Sequence, residues 1–184
     1  MIESWPLARG DAPGSALLRC LPEDFVVSEQ LGYDPDGEGE HCQLRLRKCE
    51  LNTAELAGRI AALCDVPLRD VGYCGLKDRN AVTTQWFSVG LAGRAEPEWH
   101  ALEEGGAVTV LGTARHRRTL RRGVHRANRF TLTLREVRGE RSALEARLES
   151  IRSAGVPHYF GTQRFGRGGS TLAQARGWAR RGGR

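Results

Sequence analysis

No stretch of this chain stays apolar over the roughly 20 residues that a helix needs to cross a bilayer. The first residues, Met1-Ile2-Glu3-Ser4-Trp5-Pro6, carry an early acid and no apolar core, so no signal peptide is expected. The cysteines, Cys20, Cys42, Cys49, Cys64 and Cys74, are odd in number and include no Cys-x-x-Cys pair. That pattern argues against a disulfide frame and against a closed zinc site. His41 beside Cys42, with Cys49 beyond, comes nearest to a metal cluster, but it falls short of four converging ligands. No metal is expected, and the thiols are read as reduced and mostly buried. Also missing are a Gly-x-Ser-x-Gly elbow and a His-Glu-x-x-His pair, and the five histidines are scattered. Gly161 to Gly168 has the look of a phosphate-binding loop, yet Arg167 stands at the lysine position and Gly168 at the hydroxyl position. ATP binding is therefore not supported, and the segment reads as a basic turn before a helix capped by Ser170.

What remains is a soluble, cytoplasmic chain with material for a core. Hydrophobic residues make up 40% of the 184 residues, enough for one domain, or one domain and the beginning of another. The net charge of +6 favours anionic partners such as nucleic acid. Asp24–Glu29 reads as a strand, and Cys42–Lys48 alternates apolar with charged residues as a sheet with one wet face would. Asn52 and Glu55 form a capping box for a helix whose stripe is Leu56, Ile60 and Leu63, stopped by Pro67. Strands are expected at 71–74, 85–89, 107–111 and 129–137. A second capping box, Ser142 and Glu145, opens a helix with Leu144, Leu148 and Ile151 on one side and Gly155 at its end. There is no internal repeat and no regular strand–helix alternation. An α+β fold, with helices packed on a mixed, mainly antiparallel sheet, fits this order.

Positive charge concentrates between Arg115 and Arg129, a stretch without an acid. Arg115, Arg117, Arg118, Arg121, Arg122 and Arg126 are candidates for gripping RNA phosphates, because guanidinium forks match phosphate oxygens. A solvated loop that balances acids elsewhere is the alternative. Phe130, close behind this run, could stack on an unstacked base, and Asn128 could bond a base edge. Patterning alone favours the plainer reading, in which Phe130 starts the core-facing side of a strand.

The remaining candidate for chemistry is Gly75-Leu76-Lys77-Asp78-Arg79, an aspartate between two cations on a turn. Nearby positive charge favours the carboxylate that a nucleophile needs. An aspartate in a tight turn is nevertheless most often only a turn residue, and residue types alone go no further.

The run Gly75-Leu-Lys-Asp78-Arg-Asn-Ala-Val-Thr-Thr-Gln85-Trp86 resembles the signature of TruD-type tRNA pseudouridine synthases. Three further blocks resemble that family in the same order: Pro22–Val27 with Asp36–His41, then Ala127–Phe130, then Gly155–Gly166. The resemblance implies isomerisation of uridine 13, in the D-arm region of tRNA, to pseudouridine, without cofactor or metal, by a chain expected to be monomeric. It also implies that Asp78 is the catalytic aspartate and that Phe130 stacks on the target base. Asn128 and Phe25 would contact substrate, and Arg19 would pair with Asp78 where lysine is the familiar residue. His158 stands where asparagine is more familiar. Family chains continue well beyond this length, so residues 1–154 are expected to be the N-terminal part of the catalytic domain. Residues 155–184 would then begin an inserted domain. Two other readings stay open: an RNA-binding remnant that uses the 115–129 loop without catalysis, and a structural basic protein with no preference for tRNA.

Overall fold

The computed structural model describes residues 7–157, 161, 165–166 and 169–180. The Gly155–Gly166 block and the 161–168 loop lie partly outside these residues, and His158 lies wholly outside them. The chain divides into two compact units, one formed by residues 16–137 and the other by the N-terminal residues through 15 together with 138 onward.

The first unit is built on a mixed sheet. Its strands are β2 (Phe25–Gln30), β3 (His41–Lys48), β4 (Val71–Tyr73), β5 (Val82–Gly90), β6 (Val108–His116) and β7 (Ala127–Leu132). The order is β6-β3-β5-β2-β7, with β4 also on β5. Only β2 and β5 run parallel, and the other pairs are antiparallel. The expected α+β architecture with a mixed, mainly antiparallel sheet is what the chain adopts. β2 pairs with Val82–Thr84 of β5 and β4 with Phe87–Val89, so β5 is flanked by two different strands along its length. Helix α1 (Thr53–Leu63) begins and ends where its pattern predicts, but Asn52 makes no side-chain capping bond. Leu56 and Ile60 of α1 pack with Leu44, Leu46 and Phe87 of the sheet in the main core.

Alternation along β3 puts Cys42, Leu44 and Leu46 on the core face and Arg45 in solvent, as expected for a sheet with one wet side. Lys48 breaks the charge pattern. It holds the next inward position and is 1% exposed. The stretch read as one strand over 129–137 is two strands, β7 and β8 (Leu134–Arg138), interrupted at Thr133. Thr133 turns its N–H to the Asp24 carbonyl, while β8 pairs with β1 (Ser15–Leu18), a strand the sequence did not suggest.

In the second unit, helix α2 (Arg141–Ala154) starts two residues earlier than expected. Glu140 flanks it, no side chain caps it, and Ser142 is already inside. It ends at Gly155, whose φ of 69° suits glycine. Leu148 of its expected apolar stripe is exposed. Helix α3 (Ser170–Arg180) has Ser170 as its first helical residue. No described helix is long and apolar enough to cross a membrane.

Candidate active site

Side chains two residues apart on a strand share a face, and the registers gather the candidate residues on one face of the first unit's sheet. In the antiparallel pair of β2 and β7, Val27 lies opposite Phe130, Glu29 opposite Asn128 and Phe25 opposite Leu132. Phe25 is therefore the diagonal neighbour of Phe130, and their rings sit 6.0 Å apart at 56°, a tilted aromatic contact. Phe25 is buried, whereas Phe130 is 57% exposed. Phe130 thus neither begins a core-facing pattern nor stands at a loop junction: it lies inside β7 with its ring in solvent.

The Asp78 turn connects β4 to β5. Asp78 Oδ2 lies 3.9 Å from Arg19 Nη2, both side chains being about half exposed. The Arg19 guanidinium carbon also sits 3.7 Å from the centroid of the Phe25 ring, a cation–π placement. The cations adjacent to Asp78 in sequence point elsewhere. Lys77 Nζ donates to Glu29 Oε2 at 2.5 Å, and Arg79 Nε donates to the Glu50 carbonyl at 3.1 Å. The positive charge beside Asp78 therefore comes from Arg19, far away in sequence, and not from the flanking Lys77 and Arg79.

Phe25 is fixed by the turn before it. Asp24, buried, accepts two bonds from Arg135, at 2.7 Å from Nε and 2.8 Å from Nη2, and a third from the Leu21 N–H at 3.0 Å. The Arg135 guanidinium first, and the Leu21 N–H with it, hold the Asp24 carboxyl below the usual carboxylate range in spite of burial. Nothing local in the sequence marks Arg135, which lies 111 residues from its partner.

Behind the turn lies a buried polar set that sequence reasoning missed: Glu29, Lys48, Thr53 and Gln85. Lys48 Nζ donates to the carbonyls of Leu51, at 2.7 Å, and Asp78, at 3.0 Å. Burial pulls its pKa down to about 8, against the partial support of the Asp78 charge. Glu29 Oε1 accepts the Trp86 N–H at 3.1 Å. Glu29, Cys74 and His125 offer ligand atoms within 4.8 Å of one another, but both Glu29 oxygens are already engaged and the Lys77 ammonium lies against them. A cation there would face that ammonium, which argues against a metal site even though His125 Nδ1 is buried without a partner. Burial raises the Cys74 thiol to about 11.

The basic stretch is shorter as a loop than expected, because β6 runs to His116 and β7 begins at Ala127. It is also held down. Leu120 is buried with Leu31 and Cys74, the Gly123 N–H donates to the Cys74 carbonyl, and the Arg126 N–H donates to the ends of β2. The loop crosses β4 so closely that a Cβ on Gly72 would lie 2.3 Å from the Leu120 carbonyl oxygen. Arg115 pairs with Glu96, and Arg117 with Glu38. Arg118, Arg121, Arg122 and Arg126 are exposed and make no ion pair among the described residues. A cavity of about 980 Å³ opens beside Arg117, Arg118 and Arg121, with Tyr33 and His116 in its wall; Asp78 and Phe130 do not line it.

The family model for tRNA pseudouridine synthase D (TruD) matches residues 9–172. The chain belongs to the TruD family. It is 53% identical over 170 residues to tRNA pseudouridine synthase D of Methylococcus capsulatus, covering 92% of this chain and 48% of that protein. Over 176 residues it is 49% identical to the Pseudomonas fluorescens protein of the same name, covering 96% of this chain and 50% of that one. A crystal structure from Methanosarcina mazei assigned to TruD matches with a TM-score of 0.64 and 28% identity, covering 82% of this chain and 35% of that one. This TruD-family chain thus spans about half the length of the curated relatives it matches.

Proposed function

We propose that this chain supplies the Asp78-bearing part of an enzyme that isomerises uridine to pseudouridine in tRNA, at position 13 in the D-arm region. The observation that carries the reading is the run of contacts from Asp78 to Arg19, from Arg19 to Phe25 and from Phe25 to Phe130, in a chain of the TruD family. A base inside a helical stack cannot be reached, so the target uridine must leave it. Phe130 offers an open ring for stacking and Phe25 backs it, while the Asn128 amide, whose nitrogen lies 3.1 Å from His125 Nε2, would have to leave that partner to bond a base edge. Asp78, beside the Arg19 charge, attacks the nucleotide as its carboxylate. The bond from the base nitrogen to the ribose breaks, the base turns, and carbon 5 bonds to the ribose as the bond to Asp78 breaks and returns the carboxylate. The hydrogen on carbon 5 leaves to water as a proton, and the base nitrogen freed from the ribose takes up a proton in its place. No atom is gained or lost and nothing is oxidised, so the reaction calls for no cofactor.

The arginines at 115, 117, 118, 121, 122 and 126 take the phosphates, with those at 118, 121, 122 and 126 the most available. In this reading the protein works in the cytoplasm as a monomer, and residues 155–184 open an inserted domain. The test uses tRNA labelled with tritium at uridine carbon 5, with the full-length protein and its Asp78→Asn variant. Release that disappears in Asp78→Asn supports the reading, and release that survives removes Asp78 from its role. Binding of tRNA without release by any form would favour an RNA-binding remnant.

A further inference from the structure

A closed circuit of hydrogen bonds from buried side chains holds the backbone that carries Asp78. Gln85 Nε2 donates to the Gly75 carbonyl at 2.5 Å, and Gln85 Oε1 accepts from the Thr53 hydroxyl at 3.0 Å. That hydroxyl in turn accepts the Lys77 N–H at 3.0 Å. The donors leave one consistent assignment. The Gly75 carbonyl can only accept, so the Gln85 amide nitrogen must face it; that turns Gln85 Oε1 to Thr53, whose hydroxyl gives its proton there and accepts the Lys77 N–H on a lone pair. Lys48 adds a bond to the Asp78 carbonyl, and Glu29 anchors the Lys77 side chain.

These four side chains come from β3, the first turn of α1, β5 and β2, and each is 2% exposed or less. Buried polar groups destabilise a fold unless partnered. Here Thr53 and Gln85 direct their hydrogen bonds, beyond the one they share, at main-chain groups of residues 75–77, and Lys48 divides its own between Leu51 and Asp78. The Thr53 hydroxyl is spent on this turn, and neither it nor Asn52 makes a capping bond for α1. The Asp78 carboxylate then projects from a backbone fixed on both sides.

We propose that Thr53 and Gln85, with Lys48, are positioning residues for Asp78: they set where its carboxylate stands without touching the substrate. The proposal rests on the reading of Asp78 as the nucleophile. Misplacing a reacting group by about 1 Å can cost on the order of a hundredfold in rate. Thr53→Val keeps the shape and removes the hydroxyl, while Thr53→Ser restores it.

The test measures kcat and KM for tritium release by the full-length protein, together with backbone amide exchange at Lys77. In Thr53→Val, kcat falls by about ten- to a hundredfold while KM stays within about twofold, and Thr53→Ser recovers most of the loss. Exchange at Lys77 speeds by about tenfold in Thr53→Val and returns in Thr53→Ser, with the β3–β5 amides unchanged. Lys77 exchange unaffected by Thr53→Val overturns the proposal, as does a kcat loss matched by equal loss of tRNA binding. If the unsubstituted protein releases no label, the catalytic reading fails, and exchange still decides the circuit. Should Thr53→Val not fold, the Lys77 amide of the unsubstituted protein decides alone: exchange at the open-chain rate overturns the proposal.

Discussion

Arg19 reaches across the Phe25 ring to Asp78, its guanidinium carbon 3.7 Å from the ring centroid and its Nη2 3.9 Å from the carboxylate. It does so from a left-handed backbone, with φ of 59°, a conformation that costs a side-chain-bearing residue on the order of 1 kcal/mol. Glycine would relieve that strain and remove the charge. Arg19→Gly is therefore expected to leave the melting temperature unchanged or higher, because an exposed ion pair contributes little to stability. Tritium release should fall by about tenfold or more, as expected for loss of a charge beside the reacting carboxylate. A melting curve and the release assay on one preparation check both halves.

Asp24 and Arg135 give a prediction of opposite kind. They carry no chemistry, but they set the turn that delivers Phe25 into β2. The Asp24 carboxyl is held below its ordinary value of 3.8, so its contribution to stability is fully present above that pH. The contribution is lost as the pH falls through the lowered folded-state value. Denaturation of the unsubstituted protein and of Arg135→Ala should thus differ clearly at pH 7 and converge as the pH drops below about 3.8. A gap that persists into acid would mean that Arg135 acts through packing and not through Asp24.

Phe130 stands at the edge of the sheet with more than half of its surface in solvent. Removing it should cost the fold less than about 1 kcal/mol, since little apolar area is buried there. Stacking of one base on an aromatic ring contributes about 1–3 kcal/mol. Phe130→Ala should accordingly lower kcat/KM for tRNA by roughly ten- to a hundredfold while the unfolding curve barely moves. Phe130→Tyr, which keeps the ring, should retain most of the activity. Equal losses in the two variants would argue against stacking.

The exposed arginines of the 117–126 loop are tested by salt. Each phosphate contact adds about 0.7–0.9 to the slope of log affinity against log salt concentration. Replacing Arg121 and Arg122 with alanine should weaken tRNA binding and flatten that slope by nearly two contacts' worth. The same replacement at Arg117, which already pairs with Glu38, should flatten it less. Filter binding across a salt series separates the two cases.

Much of this fold could be read from local pattern. The helix at Thr53–Leu63, the strand at His41–Lys48 and the turn holding Asp78 announce themselves through apolar spacing and turn residues. What local pattern could not supply was the identity of each partner across the sheet. Glu29 meets Lys77 only because β2 lies parallel to β5. Arg19 meets Asp78 from a distant part of the chain, whereas Lys77 and Arg79, adjacent to it, turn away. The split of 129–137 into β7 and β8 was equally hidden, because threonine at 133 looks like any strand residue until its N–H is seen to leave the ladder for Asp24. The resemblance to TruD named Asp78, Phe25, Asn128 and Phe130, and the structure adds the polar residues behind them.

Lys48 offers the sharpest pH signature. A strand position that pattern assigns to the core is filled by an amine, and burial lowers its pKa from 10.5 to about 8. Losing the proton need not break its contacts, because a neutral amine keeps two N–H groups, enough for the carbonyls of Leu51 and Asp78. For a group whose folded-state pKa is depressed, stability is gained above the unfolded value and lost as the pH falls through the folded one. The difference in unfolding free energy between the unsubstituted protein and Lys48→Met should therefore rise with pH between about 8 and 10.5. Residues that titrate alike in both proteins cancel in that difference. A flat difference across this range would show that Lys48 keeps its charge in the fold, with the Asp78 carboxylate and the two carbonyls together outweighing the cost of burying it.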